Sequence, residues 1–132
     1  MKLGFSWMPG AAGQQANCNV EGLAVNDISP LACLLMDDGG LDERASLVWL
    51  QEGIAQIDAF QSSEKLGKID WNRESWGAEI FGENTRIYSL YDEQCFEYVA
   101  TTALKTALVE WLKFLRSGPA SNWVSVDLDL KI

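Results

Sequence analysis

The chain contains no histidine. This removes the usual general base at neutral pH, the usual partner of a serine or cysteine nucleophile, and the commonest zinc ligand. Most enzyme classes weaken together, and the sequence assigns no catalytic residue, no metal ligand and no cofactor. Cysteine is scarce. Cys18, Cys33 and Cys95 form no CxxC pair and lack the dense spacing of disulfide frameworks, so they are expected to be reduced thiols of a cytoplasmic protein. Long apolar runs are missing too: Leu31 to Met36 falls far short of the roughly 18 residues of a membrane helix. Pro9-Gly10 ends the apolar start Leu3 to Met8 before it reaches the roughly 7 to 15 residues of a secretion signal. Pro30-Leu31-Ala32-Cys33 is shaped like a lipoprotein cleavage box, but Glu21, Asn26 and Asp27 interrupt the stretch before it, and no anchor is expected. Positive charge is short as well, with 10 Lys+Arg against 19 Asp+Glu and a net charge of -9. Anionic lipid and phosphate backbones repel such a chain, so neither membrane nor nucleic acid is expected as a partner. GxGxxG, GKS/GKT and GxSxG motifs do not occur.

What is present suits one folded domain over residues 1–132. At 132 residues and 48% apolar content, folding can bury roughly two-thirds of the unfolded surface, enough for a core without metal or disulfide. A short strand is expected near Leu3 to Trp7, a loop over Gly10 to Gln15, and a second strand near Asn19 to Val25. Ser29-Pro30 is a helix start, and Leu31 to Met36 a short helix closed by Asp37-Asp38-Gly39-Gly40. Asp42-Glu43 places negative charge at the start of a longer helix, whose stripe is Leu47, Leu50, Ile54 and Ile57. Gly53 within it costs about 1 kcal/mol against alanine, so the helix depends on packing.

Residues 65–72 read as polar turn. Trp76 to Phe81 and Arg86 to Tyr91 read as a hairpin, Asp92 to Gln94 as a turn, and Cys95 to Val99 as a third strand. Thr101 or Thr102 is expected to cap a helix over Ala103 to Arg116, with Leu104, Leu108, Trp111 and Leu115 on one buried face and Gly118-Pro119 at its end. Val124, Val126, Leu128, Leu130 and Ile132 alternate with polar residues, the mark of a half-buried strand. The expected fold is α+β, a mostly antiparallel sheet with hairpin and meander and two or three helices packed on it.

Adjacent carboxylates occur at Asp37/Asp38, Asp42/Glu43 and Asp92/Glu93. Glycoside hydrolysis needs two carboxylates about 5 to 10 Å apart across a cleft, and sequence adjacency does not provide that. Helix-start acids and solvated turns explain the pairs as simply. Asp37 to Glu43 also lacks the alternating ligand spacing of a calcium loop. Among the tryptophans, Trp111 falls on the core stripe, whereas Trp49, Trp71 and Trp76 are the surface candidates.

The charge imbalance is the remaining signal. A solubilising surface would account for it, and so would a negative face complementary to a cationic protein, where steering accelerates capture and carboxylates take the places of phosphates. Arg86-Ile87-Tyr88-Ser89-Leu90-Tyr91-Asp92, followed by the helix Thr102 to Leu115, resembles small immunity proteins of bacterial contact-dependent inhibition and polymorphic toxin systems. The resemblance covers about a third of the chain. It implies an acidic cytosolic protein that binds one cognate toxin domain, often a basic nuclease, and it carries no universal binding residues. The expected partner-binding residues are therefore chosen on charge and exposure: Asp37, Asp38, Asp42, Glu43, Asp92, Glu93 and Glu97, with Trp71 or Trp76 as an apolar anchor. Two other readings stand beside it. One is a carboxylate-dependent hydrolase acting on a glycan, and the other is a structural subunit that pairs through its C-terminal strand.

Overall fold

Apolar residues spaced for strands and for helices in the sequence end up facing one interior between two sheets. The computed structural model describes residues 1–10, 13–23, 27–62, 67–119 and 123–130. In chain order the elements are β1 (Lys2–Gly10), β2 (Gly13–Val20), α1 (Pro30–Met36), α2 (Glu43–Gln61), β3 (Ile69–Asn72), β4 (Trp76–Phe81), β5 (Asn84–Ser89), β6 (Asp92–Ala100), α3 (Thr101–Ser117) and β7 (Val124–Asp127). They build a three-stranded sheet ordered β2-β1-β7 and a four-stranded meander ordered β3-β4-β5-β6, both antiparallel. The fold is α+β, as the sequence implied. α1 and α3 touch both sheets, and α2 packs on α3.

Helix starts follow the local chemistry. Ser29 Oγ accepts from Ala32 N at 3.2 Å ahead of Pro30, and Asp42 Oδ1 accepts from Ala45 N at 2.8 Å, so each cap satisfies an otherwise orphaned donor. The α3 start differs from expectation. Its N-cap is Ala100 with no side-chain bond, because Thr101 is buried and its hydroxyl pairs with Thr85 Oγ1 at 2.8 Å. Leu104, Leu108 and Trp111 are buried as their spacing requires, and Phe5 of β1 meets the Trp111 ring edge-on at 5.0 Å.

Several strand boundaries move. β1 and β2 pair from Leu3↔Val20 to Gly10↔Gly13, so Gly10 and Gly13 to Gln15 belong to a long hairpin whose small polar residues stand in solvent on both faces and hide the alternation. β2 ends at Val20, and positions 24–25 of the expected strand lie outside the described residues, as do 11–12 of the expected loop. Ile69–Asn72 is an edge strand instead of a turn, because Ile69 and Trp71 point inward while Asp70 and Asn72 point out. The β5–β6 turn sits at Leu90-Tyr91, and β6 already begins at Asp92, with a register shift just beyond Ser89↔Asp92. β7 stops at Asp127, although the alternation of burial continues to Leu130; 131–132 lie outside the described residues.

Register divides the four-stranded sheet into two faces. Trp71, Ala78, Ile87 and Glu97 oppose one another in a row on the inner face, and Asp70, Glu79, Arg86 and Tyr98 in a row on the outer face. Among the described residues no helix is long and apolar enough to cross a membrane.

A candidate protein-binding site at the acidic end of the sheet

The β3–β4 turn (73–75) and the β5–β6 turn (90–91) lie at the same end of the meander, joined by Leu90 N donating to Ser75 O at 2.9 Å. The loop between α1 and α2 is bound to that end by Asp37. Its Oδ2 accepts from Ser75 N at 2.7 Å and Trp76 N at 3.1 Å, and its Oδ1 accepts from Gly39 N at 3.2 Å. Gly39 and Gly40 turn this loop through left-handed φ values of 62° and 73°, which glycine adopts without steric cost. A Cβ on Gly39 would meet Glu74 at 3.4 Å, so Glu74 also borders the loop. Two acidic stretches about fifty residues apart in sequence are thus brought to one end.

The exposed acids there are Asp38, Asp42, Glu43, Glu74, Asp92 and Glu93. Among the described residues none of them makes an ion pair with lysine or arginine. The cations that do pair are engaged elsewhere: Lys2 with Glu21, Lys68 with Asp70 and Glu79, Arg86 with Glu79, Lys105 with Asp58, and Lys113 with Glu110. One buried base lies beneath the acidic end. The guanidinium of Arg73 sits 4.9 Å from the Trp49 ring centre and 5.6 Å from that of Trp71. Burial pulls its pKa down to about 10 while Asp37 and Asp38 oppose the shift, and its Nε and Nη1 have no hydrogen-bond partner.

The expected site residues separate into two groups. Asp38, Asp42, Glu43, Asp92 and Glu93 are exposed at this end, although Asp42 also caps α2 and Asp92 accepts from Gln94 N at 3.1 Å. Asp37 and Glu97 serve the fold. Glu97 lies on the inner face, accepts from Leu31 N at 2.9 Å at the start of α1, and has its pKa raised by burial against the opposing bonds from Leu31 and Ser29. Trp71 is a correction: at 3% exposure it is a core residue and offers no surface anchor. Its alternation within a four-residue strand places it inward, a signal too short to read beside the polar residues around it. Trp76 is half-buried.

Aromatic surface missed by the sequence reading lies beside the acids. Phe96 and Tyr98 are 45% and 54% exposed on the outer face of β6, and Tyr91 at the turn is 79% exposed. Arg86 stacks on Tyr88 at 4.6 Å and Phe96 at 4.8 Å while donating to Glu79 Oε1 at 2.7 Å and Glu93 O at 2.9 Å, which holds it in place. Period-two alternation in Cys95 to Val99 separates Phe96 and Tyr98 from the other face, but both faces carry apolar residues, and the buried one is not identified by pattern alone.

A groove of about 390 Å³ opens on the other side of the 37–43 loop. Trp7, Trp111, Met36 and Leu115 contribute its apolar wall, with Asp38 and Glu43 also lining it. Among the described residues no group of three or more His, Cys, Asp or Glu side chains is arranged to hold a metal ion. No protein-family model, curated protein or solved structure matches the chain.

Proposed function

We propose that this chain is a non-enzymatic inhibitor: an immunity protein that binds and neutralises a cognate cationic toxin domain, such as a basic nuclease, through its acidic end. The supporting observation is the gathering, from two distant stretches, of exposed carboxylates that make no ion pair among the described residues, while Lys2, Lys68, Arg86, Lys105 and Lys113 pair with other acids and Arg44, next to Glu43, is an exposed base at the same end. Charge of one sign concentrated this way steers a cationic partner and raises the association rate. Tyr91, Phe96 and Tyr98 supply the aromatic contact area typical of interface centres, in the role the sequence assigned to Trp71.

The test measures association of this chain with a cationic toxin domain recovered by pull-down from its native cells, and recovery of no such domain would overturn the reading. Asp92→Lys with Glu93→Lys should slow association by about tenfold at low salt, and the difference should shrink between about 0.05 and 0.5 M salt. An association rate indifferent to both charge reversal and salt would remove the electrostatic basis of the reading.

The glycan-hydrolase reading keeps one observation in its favour, the presence of Asp38 and Glu43 in a groove with Trp7 and Trp111. Both carboxylates are exposed, however, and Asp38 Oδ1 accepts from Gly40 N at 2.9 Å, whereas a general acid needs a dry setting that keeps it protonated. Release of reducing ends from oligosaccharides, abolished by Asp38→Asn and Glu43→Gln, would replace the inhibitor reading.

A further inference from the structure

Hydrogen bonds fasten α1 to the four-stranded sheet at both ends of the helix. At its start Leu31 N donates to Glu97 Oε1 at 2.9 Å, and just past its end Asp37 accepts from Ser75 N and Trp76 N beside the β3–β4 turn. A helix rises about 1.5 Å per residue and a strand about 3.3 Å. Cys33 therefore stands about 3 Å along α1 from the Leu31–Glu97 contact, and Cys95 about 7 Å along β6 from it, both towards the end that Asp37 holds. α1 packs on β6, and Cys95 shares the less exposed side of that strand with Glu97. The two cysteines are thus brought to one stretch of the helix–sheet contact. Their influence on each other agrees with this: burial raises the Cys33 pKa first, and the Cys95 thiol is the next cause.

The third cysteine is set apart. Cys18 is 4% exposed and its thiol donates to Asn19 O on its own strand, whereas Cys33 and Cys95 are both half-buried and within reach of a small reagent. Cys95 also has room to adjust. Glu93, Gln94 and Cys95 fall in the register shift between Tyr88↔Phe96 and Ser89↔Asp92, where no β5 residue opposes them, so the backbone there can shift without separating paired residues.

We infer that Cys33 and Cys95 are a redox-sensitive dithiol pair, which a low-molecular-weight disulfide such as oxidised glutathione converts to an intramolecular disulfide between α1 and β6. One thiolate of the pair attacks a sulfur of the oxidised reagent and displaces one glutathione thiolate. The other then attacks the protein sulfur of the mixed disulfide and displaces the second. The protein gives up two protons and two electrons, and one glutathione disulfide becomes two glutathione thiols. Exchange accelerates as pH rises, because the thiolate is the attacking form and Cys33 holds its proton above the ordinary thiol value. The new bond leaves α1 shortly before Asp37 and Asp38 and enters β6 shortly after Asp92 and Glu93, so it joins the two acidic stretches covalently. Any effect on toxin binding rests on the acidic-end reading; formation of the bond does not.

The experiment incubates the folded full chain with oxidised glutathione at about pH 8.5 and maps disulfides by mass spectrometry of unreduced peptides. A Cys33–Cys95 bond should form, persist in Cys18→Ala, and be lost in Cys33→Ser and in Cys95→Ser. Because it closes the long loop from 33 to 95, it should raise the melting temperature by about 5 °C or more, and a reducing agent should reverse the rise. Thiols that stay free, a bond from Cys33 to Cys18, or a bond between two chains would overturn the inference, as would a Cys33–Cys95 bond that lowers the melting temperature. If the bond forms but charge reversal at Asp92 and Glu93 leaves toxin association unchanged, the dithiol pair stands and the acidic-end reading falls. If charge reversal slows association while Cys33 and Cys95 stay free under oxidant, the dithiol pair falls and the inhibitor reading stands.

Discussion

Gly53 lies directly against the indole of Trp71: a Cβ built on Gly53 would stand 2.6 Å from Trp71 Cε2 and 2.7 Å from Cζ2. The glycine that weakens α2 as an isolated helix lets it approach the four-stranded sheet closely enough to cover Trp71, which is 3% exposed. Local propensity and tertiary packing oppose each other here, and packing prevails. Gly53→Ala would gain about 1 kcal/mol of helix propensity and lose about 1 to 3 kcal/mol to overpacking, so a net loss of about 1 kcal/mol is expected in urea unfolding. Trp71→Leu in the same chain should relieve the clash and make the alanine neutral or stabilising. A gain in stability from Gly53→Ala alone would contradict the close approach.

Asp37 and Asp38 are neighbours with different work. Asp37 receives three backbone N–H groups, two of them from the β3–β4 region, whereas the exposed Asp38 receives one from Gly40. Asp37→Ala should cost about 2 to 3 kcal/mol, because backbone donors lose a charged acceptor, while Asp38→Ala should stay within about 0.5 kcal/mol. Equal losses measured by chemical denaturation would show that the staple between the α1–α2 loop and the sheet end is not the stabilising element. A stability-neutral Asp38 variant also keeps binding experiments interpretable.

Glu97 makes stability depend on pH in a defined direction. Burial raises its folded pKa above that of the unfolded chain, so the folded state holds more protons in the interval between the two values. Its contribution is complete below the ordinary glutamate range and is lost as pH rises through the folded pKa. Glu97→Gln, which retains an oxygen acceptor for Leu31 N, should remove that loss, and the stability difference between variant and wild type should move in the variant's favour with rising pH across this interval. Glu79 has its pKa lowered by Lys68 and Arg86 and trends oppositely, but it is common to both proteins and cancels in the difference. A pH-independent difference would place Glu97 in an environment equivalent to water.

The cysteines should differ in reactivity. Cys18 is 4% exposed, and burial, reinforced by Cys33, pushes its thiol up to about 12. Cys33 is raised too, first by burial and then by Cys95, Asp37 and Glu97, but it is less enclosed. Maleimide modification near pH 8, followed peptide by peptide in a mass spectrometer, should be at least about tenfold slower at Cys18 than at Cys33. Similar rates would mean that the hairpin opens over α1 in solution.

Much of this architecture is legible because it is written in short-range rules. The Ser29-Pro30 and Asp42 starts, the α3 stripe and the β4–β5 hairpin depend on residues only a few positions apart, and each occurs where its spacing indicates. Thr101 and Trp71 escaped the same rules. A partner from another element, Thr85 in one case and Gly53 in the other, decides what each side chain does. The candidate site was legible in its charge but not in its membership: Glu74 and Tyr91 join it only because Ser75 bonds Leu90 and Asp37.

Composition and periodicity by themselves determined an acidic α+β protein without imidazole chemistry, because hydropathy pattern and charge count are sums over the chain. Tertiary structure alone decided which carboxylates are spent inside and which remain outside. Asp37 finds the two donors that tie it to the sheet 38 and 39 positions away, and Glu97 finds the Leu31 N–H 66 positions away. A carboxylate's role follows from the nearest N–H in space, and no window along the chain contains that information.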